Sequence, residues 1–334
     1  MDFATILEWI IKSLIVVLSL TAGFAYTTLY ERKVLARMQV RVGPNRAGPL
    51  GILQPVADGI KLIFKEDLIP AEADKFIFVL APIITVIPAL VMTAVVPWGG
   101  TINLFGRDFT LQLADLNVGV LWILSVTSIS VYGISLAGWS SNNKYAMLGG
   151  LRATAQMISY ELALGLAYVG PILLAGSMSL GAIVNAQRAV PNVILQPVAF
   201  AIYLMASLAE INRAPFDMPE AEQELTAGYH TEYSSMKFAL FFMAEYIKMV
   251  AISMIGATLF FGGYLGPFID QAPILGPIYL FVKTAIWMFL IIWLRATLPR
   301  IRYDRLMALG WKVMFPVALA NVVVTAIVIV LVGG

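Results

Sequence analysis

Apolar residues come in long blocks along this chain. Eight windows of about 20 predominantly apolar residues, near 6–29, 76–97, 118–138, 153–176, 193–210, 236–262, 275–294 and 313–332, are each long enough to cross a hydrocarbon core about 30 Å thick. No polar stretch between them exceeds about 45 residues, which is short for an independent domain. The pattern predicts an all-α polytopic membrane protein with about eight transmembrane helices, a single membrane domain over 1–334.

One amphipathic pattern lies outside the spans, in the inside connection 31–75. From Pro55, a good first-turn residue, Val56, Ala57, Ile60, Ile63 and Phe64 recur at helical spacing, while Asp58, Lys61 and Lys65 take the other face. The spacing predicts a helix near 55–66 that is too short to span and lies in the interface plane. Two roles fit it: a cover for the cytoplasmic side of the bundle, or a roof over a passage for an amphiphilic ligand entering from the lipid.

Composition agrees with the blocks: 60% of residues are hydrophobic and 13% charged, against roughly 25% charged for a soluble chain, and the mean hydropathy is +0.85. The first block is read as a retained span and not a signal peptide, because Asp2 and Glu8 precede or enter it where basic residues belong and its apolar run is long. With the N-terminus outside, 17 of the 22 lysines and arginines fall in inside connections, while Arg107 and Arg188 lie outside and Lys12, Lys248 and Lys283 within spans. The positive-inside rule therefore predicts both termini on the outer side of the membrane.

The chain has no cysteine and one histidine, His230. Iron-sulfur clusters need thiolates and zinc sites need several Cys or His ligands, so no metal site is expected here. "GYHTEY" sets His230 two residues from Glu232, a conceivable metal pair, but a hydrogen-bonded loop histidine is the better reading. "GGYLGPF" follows a membrane helix, without the strand and following helix that make a phosphate loop, and reads as an outside turn. "ERKVLARMQVRVGPNRAGP" is a basic loop in which Gly43, Pro44 and Gly48 break regular structure. Its "RVGPNR" turn, flanked by Arg41 and Arg46, can present donors to a polar headgroup or to acidic residues of a partner.

Ionisable groups inside spans are functional hypotheses by default. Glu8 and Lys12 make a favourable i,i+4 pair near the outer end. Glu161, in "MISYELALGLAYVG", has no base within one helical turn of its own chain, about a third of the way into the fourth window. Glu245 and Lys248 share one face of the sixth, where they can neutralise each other or take part in a proton relay. The connection 210–236 is the most acidic part of the chain, with Glu210, Asp217, Glu220, Glu222, Glu224 and Glu232 against Arg213. "DMPE" has the form of a capping box, Asp217 at the N-cap and Glu220 at the third position, which leaves Glu222 and Glu224 unexplained. Helical or extended, two or three carboxylates come within about 5 Å, a repulsion of roughly 3 kcal/mol at an effective dielectric near 20. Such groups titrate as a coupled unit.

"RAPFDMPEAEQELTAGYHTEYSSMKFALFFMAEY" and "YERKVLARMQVRVGPNRAGPLGILQPVADGIKLIFKE" resemble, without departure, the H-type membrane subunits of bacterial proton-pumping NADH:quinone oxidoreductase (respiratory complex I), the counterparts of mitochondrial NADH dehydrogenase subunit 1. The resemblance runs over essentially the whole chain. It implies a multi-pass component of the bacterial inner membrane, inactive alone, which joins peripheral-arm quinone-site subunits to antiporter-like membrane-arm subunits. Ubiquinone or menaquinone would be its substrate, membrane lipid its surroundings, and FMN and iron-sulfur clusters the cofactors of partner subunits. No nucleic acid enters. The family's proton path would map onto Glu161, Glu210, Glu220, Glu222, Glu224, Glu245 and Lys248. Its quinone chamber would map onto Arg32, Arg41, Arg46, Asp58, Lys61, Ile63, Phe64, Phe216 and Asp217.

Three alternatives differ in what they require of the chain. A related membrane component of an energy-converting hydrogenase or a ferredoxin-fed complex would share these motifs, because the electron donor binds elsewhere. A stand-alone secondary transporter predicts matching broken helices in the two halves, and 1–167 and 168–334 show no such pairing. A mere anchor for a soluble assembly leaves Glu161 unexplained.

Overall fold

The computed structural model describes residues 3–104, 107–217 and 227–333. In chain order it contains α1 (Phe3–Met38), α2 (Gln54–Ile63), α3 (Lys75–Val91), a hairpin of β1 (Thr101–Leu104) and β2 (Arg107–Thr110), α4 (Gly119–Ser140) and α5 (Lys144–Ala175). Then follow the short α6 (Leu180–Ala186) and α7 (Asn192–Leu195), α8 (Pro197–Glu210), α9 (Ser235–Phe260), α10 (Gly276–Thr297), α11 (Tyr303–Leu309) and α12 (Phe315–Gly333). Among the described residues, seven helices are long and apolar enough to cross a membrane, α11 and α12 counting as one continuous span. The fold is the expected helical membrane bundle, with a small antiparallel hairpin, Thr101 opposite Thr110, that the apolar pattern did not announce.

The fifth expected span is the exception. Residues 193–210 do not make one helix: the chain breaks at Gln196, where φ is −130° and ψ is 55°, and α8 has only 14 residues. At 1.5 Å per residue that is about 21 Å, short of the hydrocarbon core. The cause is Pro197, which supplies no N–H and disfavours the helical conformation of the residue before it.

Two other helices are longer than expected. α1 runs through "ERKVLARM" to Met38, so this part of the basic connection is helix and not loop. α5 starts at Lys144, with Asn143 accepting from Tyr145 N at 2.9 Å, and ends at Gly176 in the left-handed region at φ 63°. Glu161 consequently sits near the middle of its helix. The last span is continuous from Tyr303, with one π turn at Gly310–Met314 where its chain passes the ring of Tyr160.

Small residues set the packing of α3, α4 and α5. A Cβ on Gly133 would lie 2.1 Å from Thr85 Oγ1, and one on Gly138 would lie 2.6 Å from the carbonyl of Ala146, so these helices approach as only glycine allows. The main core behind them is aromatic, built on Tyr160, Tyr168, Tyr203, Phe260 and Trp287. Tyr203 satisfies its hydroxyl on Ile252 O at 2.6 Å and Tyr160 on Leu306 O at 2.9 Å.

Hydrogen bonds define two faces. On one, Asp74 N donates to Ser140 O and Ile301 N to Pro215 O, joining the connections that carry most of the basic residues. On the other, Asn192 Nδ2 donates to Leu259 O at 2.8 Å and Lys283 Nζ to the carbonyls of Phe261, Gly263 and Leu265. Lys283, a lysine within a span, is thus the cap of α9 and of the glycine turn after it.

Candidate functional site

The basic face is organised by its buried charges. Glu31 on α1, Glu210 at the end of α8, Arg213 just beyond it and Lys248 on α9 are 3%, 1%, 3% and 4% exposed. Charges that deep must be paired, and they are. Arg213 Nε reaches Glu245 Oε1 at 2.6 Å and its Nη1 lies 3.9 Å from Glu31 Oε1; Glu31 is also held by Arg295 of α10. Lys248 Nζ donates to Glu210 Oε1 at 3.1 Å. Signs alternate along Arg295, Glu31, Arg213 and Glu245, with the pair Glu210 and Lys248 one turn further along α9.

Glu245 and Lys248 therefore do not neutralise each other, which was one of the two readings their spacing allowed. They share a helix face, but each finds its partner on another element, where a closer opposite charge is buried with it. The Arg213 guanidinium also lies 4.5 Å from the ring centre of Tyr246, a cation–π contact that favours Arg over Lys here. Two acceptors in the cluster keep spare capacity: Oε2 of Glu31 and Oε2 of Glu210 are buried and receive no hydrogen bond among the described residues.

Glu161 stands apart, on α5. Ser128 of α4 donates to its Oε1, and Glu161 is in electrostatic reach of Glu210 and of Tyr168. Glu220, Glu222 and Glu224, and the helical half of the suggested capping box, lie outside the described residues. Asp217, at the edge of that segment, has its carbonyl bound by Arg300. His230 packs edge-on against Tyr229 and Phe238 while Glu232 accepts from Asn143 Nδ2 at 2.6 Å, so the carboxylate is engaged by an amide and not by the imidazole.

The interfacial helix α2 is present as expected and lies against α1 and α9. Asp58 fixes it, taking Arg32 Nη1 at 2.7 Å and Gln54 Nε2 at 3.0 Å. Ser235 Oγ donates to Leu62 O at 3.0 Å and Lys237 pairs with Asp67 at 2.6 Å, tying the connection after α2 to the start of α9. The apolar face itself is uncovered: Val56, Ile60 and Ile63 are more than half exposed and Phe64 is 85% exposed. Of the other residues implied for a chamber, Arg41 bonds Gln39 at 2.7 Å on the surface, and Arg46 and Lys61 are exposed. Phe216 is buried, its ring 5.4 Å from Tyr160 and its carbonyl taken by Gln156 at 2.8 Å.

Of the cavities that adjoin this face, two bear on the charged cluster. One of about 510 Å³ is basic, formed by Lys33, Arg37 and Arg41 with the turn Gly43, Pro44 and Asn45. The other, about 610 Å³ and almost wholly apolar, runs between α1, α9 and α10 from Trp98 and Pro277 to Thr27 and Tyr30, one residue from Glu31. Its volume is in the range of small-molecule sites.

Sequence reasoning missed Glu31, Arg295 and Ser128. Glu31 was hidden by reading its segment as loop; once α1 is extended to Met38, Glu31 falls in the same row as Thr27, at i+4, both buried. No signal in the sequence singles out Ser128.

Comparison with known proteins converges on one family. The family model described as NADH dehydrogenase matches residues 11–326. The chain is 52% identical over 314 residues to the H subunit of the NADH-quinone oxidoreductase of Thermomicrobium roseum, covering 91% of each chain. It is 50% identical over 331 residues to the first of the numbered H subunits of NADH-quinone oxidoreductase in Geobacter metallireducens, covering 99% of this chain and 98% of the relative.

Proposed function

This chain belongs to the NADH dehydrogenase family, and from that premise we propose that, as the H subunit of an NADH-quinone oxidoreductase, it forms part of the quinone chamber and couples quinone reduction to proton translocation. The observation that carries the reading is the buried alternating cluster of Arg295, Glu31, Arg213 and Glu245 with Glu210 and Lys248. It lies between the interfacial helix and Glu161. Buried ion pairs are weak contributors to stability and are often matched by apolar residues, so six ionisable groups drawn from five elements of a membrane bundle call for a function.

On this reading quinone enters from the lipid along apolar surface. The uncovered face of α2, with Ile63 and Phe64, is one wall, completed by peripheral-arm subunits. The cavity ending beside Glu31 offers an apolar berth to the isoprenoid tail. FMN and iron-sulfur clusters belong to the partner subunits and supply the electrons; this chain supplies charge and shape. A quinone gaining electrons gathers negative charge next to the cluster and draws protons onto its carboxylates. Glu220, Glu222 and Glu224 would take up protons first. The spare oxygens of Glu31 and Glu210 are where an added proton is accommodated without breaking an existing pair. Glu210 passes the change in charge to Glu161. The basic face is cytoplasmic, both termini are on the outer side, and antiporter-like subunits take the signal onward.

The test is neutral substitution in the assembled complex. Glu210→Gln, Glu222→Gln and Glu161→Gln keep shape but cannot titrate, and each should lower quinone reduction and proton pumping together in vesicles. Parental turnover and parental proton-to-electron ratio in all three would end the coupling reading. A pure docking role would instead give poor assembly with normal pumping per assembled complex.

A further inference from the structure

The hydroxyls in the middle of α4 mostly serve their own helix: Ser125 donates to Leu121 O, Thr127 to Ile123 O and Leu124 O, and Ser130 to Thr127 O. Ser128 differs. Its Oγ has two acceptors in reach, Leu124 O at 2.9 Å and Glu161 Oε1 on the neighbouring helix. A serine hydroxyl has one hydrogen to give, so it cannot serve both. Leu124 O can lose that bond cheaply, because inside α4 it already accepts the backbone N–H of Ser128. Among the described residues, Ser128 is the one hydrogen-bonding partner Glu161 has.

We propose that Ser128 is a positioning residue for Glu161 that reads its protonation state. With Glu161 ionised, Ser128 donates to the carboxylate. With Glu161 protonated, the carboxyl O–H donates to Ser128 Oγ and the hydroxyl turns its hydrogen to Leu124 O. The carboxyl proton stays on Glu161; the bond between the two side chains reverses direction and the serine hydrogen moves to Leu124 O, so neither state leaves an unsatisfied donor between α4 and α5. The contact holds the ionised form ready at the depth where a carboxylate has no paired cation.

The surroundings leave this role to Ser128. α4 has no Asp, Glu, Lys or Arg and its Tyr132 is exposed; α6 and α12 carry no ionisable residue. α8 brings Tyr203 and Glu210, the latter held by Lys248 of α9, which also carries Glu245 paired to Arg213. α5 itself brings Tyr160 and Tyr168, with Lys144 and Arg152 at its cytoplasmic end beside Tyr229 and His230, and α11 with the π turn brings Tyr303, Asp304, Arg305 and Lys312. Among these, Glu210 and Tyr168 are in electrostatic reach and neither offers Glu161 a positive charge.

The inference rests on Glu161 being in the proton path. It is tested on the complete complex in proteoliposomes, measuring proton pumping per assembled complex against pH for the parent, Ser128→Ala, Ser128→Thr, Glu161→Gln and the double variant. Loss of a hydrogen bond to a charged group weakens the ionised arrangement, so Ser128→Ala should move the acid limb of the pumping profile to higher pH. Ser128→Thr, which keeps the hydroxyl, should restore the parental profile, and Ser128→Ala should add nothing to Glu161→Gln. Alanine is the better helix former, so a folding defect is not expected, and subunit content checks it. A parental profile in Ser128→Ala beside a disabled Glu161→Gln overturns the role of Ser128 alone. Parental pumping in Glu161→Gln overturns the reading beneath it.

Discussion

The two faces of the bundle solve the same problem, polar groups buried among helices, in opposite ways. On the face opposite the basic one the groups are amides and one capping lysine, and Gln187 and Lys283 are fully engaged, while the buried Trp98 Nε1 has no partner among the described residues. Gln187 Nε2 donates to Ile183 O and Thr258 O while its Oε1 accepts from Asn192 N and Gly262 N. Gln196 links to Asn321 and Thr325, and Lys283 gives its three hydrogens to three carbonyls. On the basic face the groups are charged, shared between partners, and leave Oε2 of Glu31 and Glu210 unfilled among the described residues. Complete satisfaction fixes one structure; leftover capacity lets a group change its protonation without tearing the packing. On the proposed reading, the state of their hydrogen bonds, and not burial alone, separates the structural polar groups from the coupling ones.

The sharpest way to break this contrast is Arg213→Met. It leaves Glu245 buried without its 2.6 Å partner, and breaking a buried pair costs about 3–5 kcal/mol, so little complex should assemble. Adding Glu245→Gln removes the charge that Arg213 met while Glu31 keeps Arg295, and assembly should recover without pumping. The measurement is subunit content of native membranes together with proton-to-electron ratio. Recovery of full pumping in the double variant would show that the cluster is structural like the opposite face.

The face of Gln187 and Lys283 should respond the other way. Gln187→Leu strands the amides of Asn192 and Gly262 and the carbonyl of Thr258, a loss of about 2–3 kcal/mol. Complex yield and thermal stability should fall while turnover and pumping per assembled complex stay parental. Impaired pumping at normal yield would put function on both faces.

How far the sequence disclosed this arrangement depends on distance along the chain. Seven of the eight span positions, the amphipathic helix and the presence of Glu161 and Glu245 within spans were legible because apolar periodicity is local. The partners were not. Glu245 and Lys248 share a face at i,i+3, which suggested a pair, yet Arg213 and Glu210, more than 30 positions away, claim them. The break at Pro197 was visible as a residue but masked by the hydropathy around it. Glu31 looked like one more charge in a basic loop, since nothing local says that α1 continues seven residues past it. Ser128 looked like the other hydroxyls of α4, and only the approach of α5 distinguishes it.

Phe64→Asp separates the interfacial helix from both faces. The side chain is 85% exposed, and a surface change of this kind alters stability by no more than about 0.5 kcal/mol. Assembly and reduction of an artificial acceptor by the peripheral arm should survive. Quinone reduction should fall, because a charge now lies on the apolar face that quinone is proposed to meet. Equal loss of both activities would mean that α2 serves assembly.

The smallest effect is expected where an ion pair in a span is least buried. Lys12 and Glu8 form an i,i+4 pair at 2.5 Å on α1, their side chains 18% and 30% exposed, whereas Lys248 and Glu210 join two helices at 5% and 1%. Both lysines stand in apolar sequence, so hydropathy treats them alike. Lys12 can extend its stem toward the interface and Glu8 stays near water; Lys248 has no such exit. Lys12→Met should therefore cost about 0.3–0.5 kcal/mol, as for a helix-surface pair, with parental assembly, turnover and pumping. Lys248→Met should depress pumping in whatever complex assembles. If Lys12→Met also lowered pumping at normal yield, exposure would not be what sorts the charges of this bundle into structural and functional ones, and the contrast between its two faces would need another basis.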